Sequence, residues 1–204
     1  MGVLGKSEIL LRLFRCNGDP EKQLFITPLL STDQIGEASV DVRLGNEFIV
    51  IKHTNLQTID PTQGDQIRKE VGQYQDRIRV GFGEEFALHP NQLVLGSTLE
   101  YIGLPADLCA QVLGRSSWGR LGLFIATATA VSPGFKGVIT LELLNAGQVP
   151  LILYPGIRIA QLLIDEVTSK SGYDGKYRYP TGPQFTRIYD DKDMLHWCRT
   201  ENFR

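Results

Sequence analysis

The sequence predicts a mainly β protein, an antiparallel sandwich or barrel with a short N-terminal helix and few other helices. Three observations carry this expectation. Short apolar runs recur with turn residues between them, and no βαβ rhythm develops. The 21 glycines and 10 prolines supply many turns. At 204 residues, 42% hydrophobic and 22% charged, the chain has material for one core, because single cores stop growing only beyond about 250 residues. One domain over 1–204 is therefore expected, with a compositionally distinct tail at 169–187 and a C-terminal extension at 188–204.

Taken in order, Lys6 to Arg15 places Ile9, Leu10, Leu13 and Phe14 at helical spacing and stops at Asn17-Gly18, which predicts a short amphipathic helix. Ala38 to Arg43 and Glu47 to Ile51 are strand-like, and Gly45-Asn46 between them reads as the turn of a hairpin. From His53 to Arg79 the chain is polar and broken by Asp60-Pro61, Gly64 and Gly72, an excursion with room only for short strands. Glu85 to Leu88, Gln92 to Glu100 and Cys109 to Leu113 are strand candidates, separated by His89-Pro90-Asn91 and Gly103-Leu104-Pro105.

Val138 to Leu144 has the clearest strand phase: Ile139, Leu141 and Leu143 share one face, and Val138, Thr140, Glu142 and Leu144 the other. Pro150 to Tyr154 and Ile157 to Val167 add two strands around Tyr154-Pro155-Gly156. Beyond Ser169 the chain is rich in Gly, Pro, Tyr and basic residues, so it orders only against something else. Asp190 to Arg204, with Met194, Leu195, Trp197 and Cys198, predicts one short helix.

Composition removes several function classes. A net charge of −2 gives no basic excess for a nucleic-acid polymer. Cys16, Cys109 and Cys198 are odd in number and far apart, which fits a reducing compartment. No basic-then-apolar leader and no run of about 18 apolar residues is visible, so a cytoplasmic protein without a membrane partner is expected. The histidines lead HTN, HPN and HWC, so the His-x-Glu pattern of zinc deaminases is absent, as is the G-x-S-x-G turn of a serine nucleophile.

The chemistry concentrates between Gly114 and Asn145. Arg115 and Arg120 flank Ser116, Ser117 and Gly119, and Ser117 is placed to cap a short helix running toward Leu123. Amides at a helix start, two hydroxyls and two guanidiniums suit a phosphate chain, although the same residues also describe a capped helix with solvated arginines. Glu142 sits among aliphatic residues, where a carboxylate is solvated, paired with an arginine, or used to move a proton.

The blocks GRSSWGRLGL, SPGFKG, ITLELLN and YPGIRIAQL resemble the trimeric dCTP deaminases, which share a fold with the trimeric dUTPases. ASVDVRLGNEF (38–48) and KYRYPTGPQFTR extend the resemblance over roughly Lys6 to Arg187. It implies a jelly-roll-like, distorted β-barrel subunit, a homotrimer with sites shared between neighbours, and hydrolytic deamination of dCTP without zinc, with Mg²⁺ carried on the triphosphate. By position, Glu142 would be the general base, with Ser116 and Arg120 holding the water and the glutamate. Arg115 and Ser117 would bind phosphate, with Trp118 and Gly119 completing that turn. Ala128, Ser132, Thr140 and Leu141 would shape the sugar and base pocket, and Tyr173 and Lys176 would reach the phosphates from a nucleotide-covering tail. Three positions depart from the family pattern: Ala126 stands where members often carry a histidine, Ser132 where they carry an acid, and Pro180 where the tail carries a glutamine. The alternatives are a dUTPase or bifunctional enzyme giving dUMP and pyrophosphate, and a non-catalytic nucleotide-binding regulator.

Overall fold

Lys6–Phe14 forms helix α1 and buries Ile9 and Leu13, as the periodicity predicts. Arg12 lies on the same buried face because its guanidinium pairs with Asp107 and donates to the Lys22 carbonyl. The computed structural model describes residues 2–15, 19–52, 58–60, 69, 72–125, 130–168 and 175–191. Among them, no helix is long and apolar enough to cross a membrane.

Before the central stretch come strands β1 (Phe25–Thr27), β2 (Val40–Arg43), β3 (Glu47–Ile51), β4 (Gln75–Arg79), β5 (Phe86–Leu88), β6 (Leu93–Ser97), β7 (Tyr101–Gly103) and β8 (Leu108–Gly114). Then follow β9 (Leu123–Ile125), β10 (Ala130–Val131), β11 (Lys136–Gly137), β12 (Thr140–Asn145), β13 (Leu151–Leu153) and β14 (Arg158–Glu166). They assemble antiparallel into sheets ordered β4-β3-β6-β12-β9, β10-β8-β14-β2, β1-β7-β11 and β13-β5. Phe48, Val94, Leu141 and Leu143 from the first sheet and Val40, Val42, Val112, Leu162 and Ile164 from the second belong to one continuous core. Each such aliphatic side chain contributes about 1.5–3 kcal/mol when fully buried, and the mainly β expectation holds.

The expected hairpin at Gly45-Asn46 does not form. β2 belongs to one large sheet and β3 to the other, and the chain turns the corner between them at Gly45. There the Gly45 amide donates to the Ser97 carbonyl at 2.7 Å. A Cβ at this position would stand 2.9 Å from the Ser97 hydroxyl oxygen, so the glycine serves close approach of two strands and not a two-residue turn. β7 was also missed, because Gly103 ends a strand that the Gly-Leu-Pro signal made look like a connection. The excursion from His53 does hold a strand, β4, paired to β3 along its length. A single turn of 3₁₀ helix covers Ile188–Asp190, while the stretch from Asp190 to Arg204 expected to hold a short helix lies outside the described residues beyond Asp191.

Glu100 is fully buried and braces this corner: it accepts from the Arg43 amide at 2.8 Å and the Gln34 carboxamide at 2.9 Å. Burial pushes its carboxyl above the usual range, and these donors work against that shift.

Candidate active site

β12 sits between β6 and β9, with Glu142 opposite Leu95 and Thr140 opposite Ser97. From Thr140 on its side chains alternate as read from sequence, whereas Val138 and Ile139, expected on opposite faces of the strand, precede it and are both buried against the cavity. Leu141 and Leu143 are fully buried in the core, while Thr140, Glu142 and Leu144 are half-buried on the opposite face. Leu141 therefore sends its side chain away from any ligand on that face, leaving only its backbone to shape a site.

Over that face lies a cavity of about 440 Å³, within the range of small-molecule sites. Leu93, Leu95, Val131, Phe135, Ile139 and Phe185 give it apolar walls, and Ser132, Thr140, Glu142, Gln184 and Thr186 give it polar groups. Glu142 is the one acid among its described lining residues. Burial raises the Glu142 carboxyl above its ordinary value, and no described residue pairs with it to reverse the shift. A carboxylate so placed is a stronger base than one in water and is open to a ligand on the cavity side.

The tail forms the remaining wall. The Val138 amide donates to the Pro180 carbonyl at 2.9 Å, and the Gln184 amide donates to the Thr140 hydroxyl at 3.0 Å. Phe185 meets Tyr74 edge to face, with centroids 6.5 Å apart. Gly137, at φ +153°, makes this docking possible, since a Cβ there would come within 3.0 Å of the Pro180 nitrogen and closer still to its ring. Gly137→Ala is expected to lift the tail while leaving the core intact. Limited trypsinolysis after Arg178 and Arg187 should then accelerate by about tenfold, with little change in Tm. An unchanged cleavage rate would show that Gly137 does not hold the tail.

The Arg/Ser turn lies elsewhere. Ser116–Gly119 is a single helical turn with Arg115 at its N-cap and no side-chain cap, so Ser117 does not cap it, and the chain reaches β9 through a turn at Gly122. Arg115 lies 3.6 Å from Asp41, and it and the Trp118 indole both donate to the Arg158 carbonyl. Ser116, Ser117, Gly119 and Arg120 are exposed, and none of residues 115–120 lines the Glu142 cavity. Within one chain, then, the cavity gathers Glu142, Thr140 and Ser132 but not Ser116 or Arg120.

Lys176 also stays outside the cavity, its ammonium paired with Asp191 of the C-terminal extension. Ala128 and Tyr173 lie outside the described residues. Sequence reasoning missed Gln184, Phe185 and Thr186, which reach the cavity from the tail. The available signal was Gly182-Pro183, which gives the backbone a fixed bend just before a polar-aromatic-polar triplet. Among the described residues, no group of three or more His, Cys, Asp or Glu side chains gathers as a metal site would need.

Comparison with known proteins agrees with this architecture. A family model described as dCTP deaminase-like matches residues 17–167. A dCTP deaminase of Halorubrum lacusprofundi is 45% identical over 200 residues, covering 94% of each chain. A protein of Halobacterium salinarum named "dCTP deaminase, dUMP-forming" is 43% identical, covering 94% of this chain and 97% of its own. The crystal structure of 2′-deoxycytidine 5′-triphosphate deaminase from Agrobacterium tumefaciens superposes with a TM-score of 0.59 at 23% identity, over 80% of this chain and 46% of that one, a likeness of fold. With a family match across most of its length and relatives above 40% identity along nearly all of it, the chain belongs to the dCTP deaminase-like family.

Proposed function

We propose that this protein is a cytoplasmic dCTP deaminase that converts dCTP and water to dUTP and ammonia. The observation that carries the reading is Glu142, a carboxylate made more basic by burial, on the wall of a nucleotide-sized cavity that the chain's own tail covers. Glu142 takes a proton from a water as its oxygen adds to C4 of the cytosine, giving a tetrahedral centre. The same carboxylate returns that proton to the amino nitrogen, the C4–N bond breaks, and ammonia leaves as the C4 carbonyl forms, the added hydroxyl's own proton ending on N3. Covering by the tail keeps bulk water from competing for the carboxylate.

The water needs a second anchor. In this reading it comes from Ser116 and Arg120 of a neighbouring subunit in a homotrimer, since within one chain both are exposed and away from the cavity. Leu121 and Phe124, exposed just beyond the same turn, supply apolar surface for that contact. Arg115 and Ser117, beside Trp118 and Gly119, then meet the triphosphate, with Tyr173 and Lys176 closing on it from the tail. The substrate enters as its Mg²⁺ complex, the cation taking phosphate oxygens as ligands and offsetting their charge.

Incubating the protein with dCTP and Mg²⁺ should release ammonia and accumulate dUTP. Folded protein that releases no ammonia removes the reading. The name of the Halobacterium salinarum relative supports a second reading, in which the same site goes on to dUMP and pyrophosphate. Against it stands the cavity's lining, whose described part has no acid besides Glu142 to direct water at a phosphate. Pyrophosphate in the same assay would decide for the second reading.

A further inference from the structure

The cavity has a polar end and an apolar end, set by strand register. Going from Thr140 past Glu142 on β12, the neighbours across the ladder are Ser97, then Leu95, then Leu93. Ile51, at the end of β3, also lines the cavity, and its preceding residue Val50 pairs with Val94, next to Leu93. Beyond Glu142 the wall is therefore aliphatic. On the Thr140 side it carries the Thr140 hydroxyl, against which Gln184 is held by its backbone amide. With the amino-bearing edge of a cytosine at Glu142, the hydroxylated sugar belongs at the Thr140 end. Thr140 and Glu142 are two residues apart on one face of the strand, about 6.8 Å along it.

Gln184 is held at this end by two bonds. Its backbone amide donates to the Thr140 hydroxyl at 3.0 Å, and its side-chain nitrogen donates to the Gly182 carbonyl at 3.0 Å. The second bond orients the carboxamide and leaves its oxygen without a partner among the described residues. A fixed, uncharged acceptor at the sugar end calls for a donor on the ligand, and a deoxyribose offers one hydroxyl.

Resting on the deaminase reading, we propose that the Gln184 carboxamide oxygen accepts the hydrogen bond of the deoxyribose 3′-hydroxyl, making this tail residue a determinant of sugar specificity. The test is calorimetric titration with dCTP and with 2′,3′-dideoxycytidine triphosphate, in a Glu142→Gln background that slows turnover. The parent should bind dCTP about tenfold more tightly than the dideoxy nucleotide, the effect of leaving one acceptor unpaired. Gln184→Met, similar in shape but without the acceptor, should bind both equally, at the parent's dideoxy affinity. Gln184→Glu, which keeps an acceptor, should still discriminate. Undiminished discrimination by Gln184→Met overturns the proposal, and so does an equal loss for both nucleotides, which would assign Gln184 to base or phosphate. Ammonia release by the protein with Glu142 intact is followed in parallel. Its absence removes the deaminase reading while calorimetry still decides Gln184, and failure to bind either nucleotide overturns both.

Discussion

Glu142→Gln is expected to lower the rate of ammonia release from dCTP by about 100-fold or more, the range for loss of a general base, while dCTP still binds. The substitution keeps the size of the side chain and its position on β12, opposite Leu95, but removes the group that accepts a proton. The wild-type pH profile supplies an independent readout. A general base works only when deprotonated, so activity should fall as pH drops through the Glu142 pKa. Within one chain burial raises that pKa, and the Arg120 guanidinium of a neighbouring subunit would lower it, so Arg120→Ala should move the acid limb to higher pH. Folding responds with the opposite sign from catalysis. A carboxyl whose pKa is raised by folding holds its proton more tightly in the folded state, so the charged form disfavours folding above that pKa. Replacing it with a neutral amide should therefore leave Tm unchanged or slightly higher, which separates lost chemistry from lost structure. A variant that keeps its rate within a few-fold would remove Glu142 from the mechanism.

The β-rich class and the inward and outward faces of β12 were legible in the sequence because both rest on two-residue alternation, a local signal that burial of Leu141 and Leu143 obeys. The corner at Gly45 was not legible as a corner. Gly-Asn between strands has the same composition whether the chain folds back or crosses to another sheet, and the choice is made by Ser97, distant in sequence. The site divides in the same way. Glu142 and Thr140 could be named from strand phase, but Gln184 enters only because Gly137, with no Cβ, lets Pro180 dock and bring the tail over the cavity. Such a contact between residues far apart along the chain leaves no periodic mark. The Arg/Ser turn shows the reverse case. Its composition suits an anion site, yet the chain alone leaves Ser116 and Arg120 exposed and outside the Glu142 cavity.

That separation leads to the sharpest expected result. Arg120→Ala and Glu142→Gln proteins, each at least about 100-fold impaired when pure, should recover activity when refolded together in equal amounts. If each site takes Glu142 from one subunit and Arg120 from the next, random assembly gives an intact site wherever a subunit carrying Glu142 precedes one carrying Arg120. Roughly a quarter of the sites should then be active in a cyclic trimer. A site built within a single subunit predicts no recovery, because every subunit in the mixture lacks one of the two groups. The geometry favours the shared arrangement: Leu123, just past the Arg120 turn, lies opposite Asn145, about 10 Å beyond Glu142 along β12. The exposed Leu121 and Phe124 side chains lie beside that turn, where a second copy would cover them. An affinity tag on one variant, with the untagged variant recovered alongside it, ensures that the two have exchanged. Mixed assemblies that do not regain ammonia release would place Arg120 outside the neighbour's site and leave the Glu142 carboxylate to orient its water without a guanidinium from another subunit.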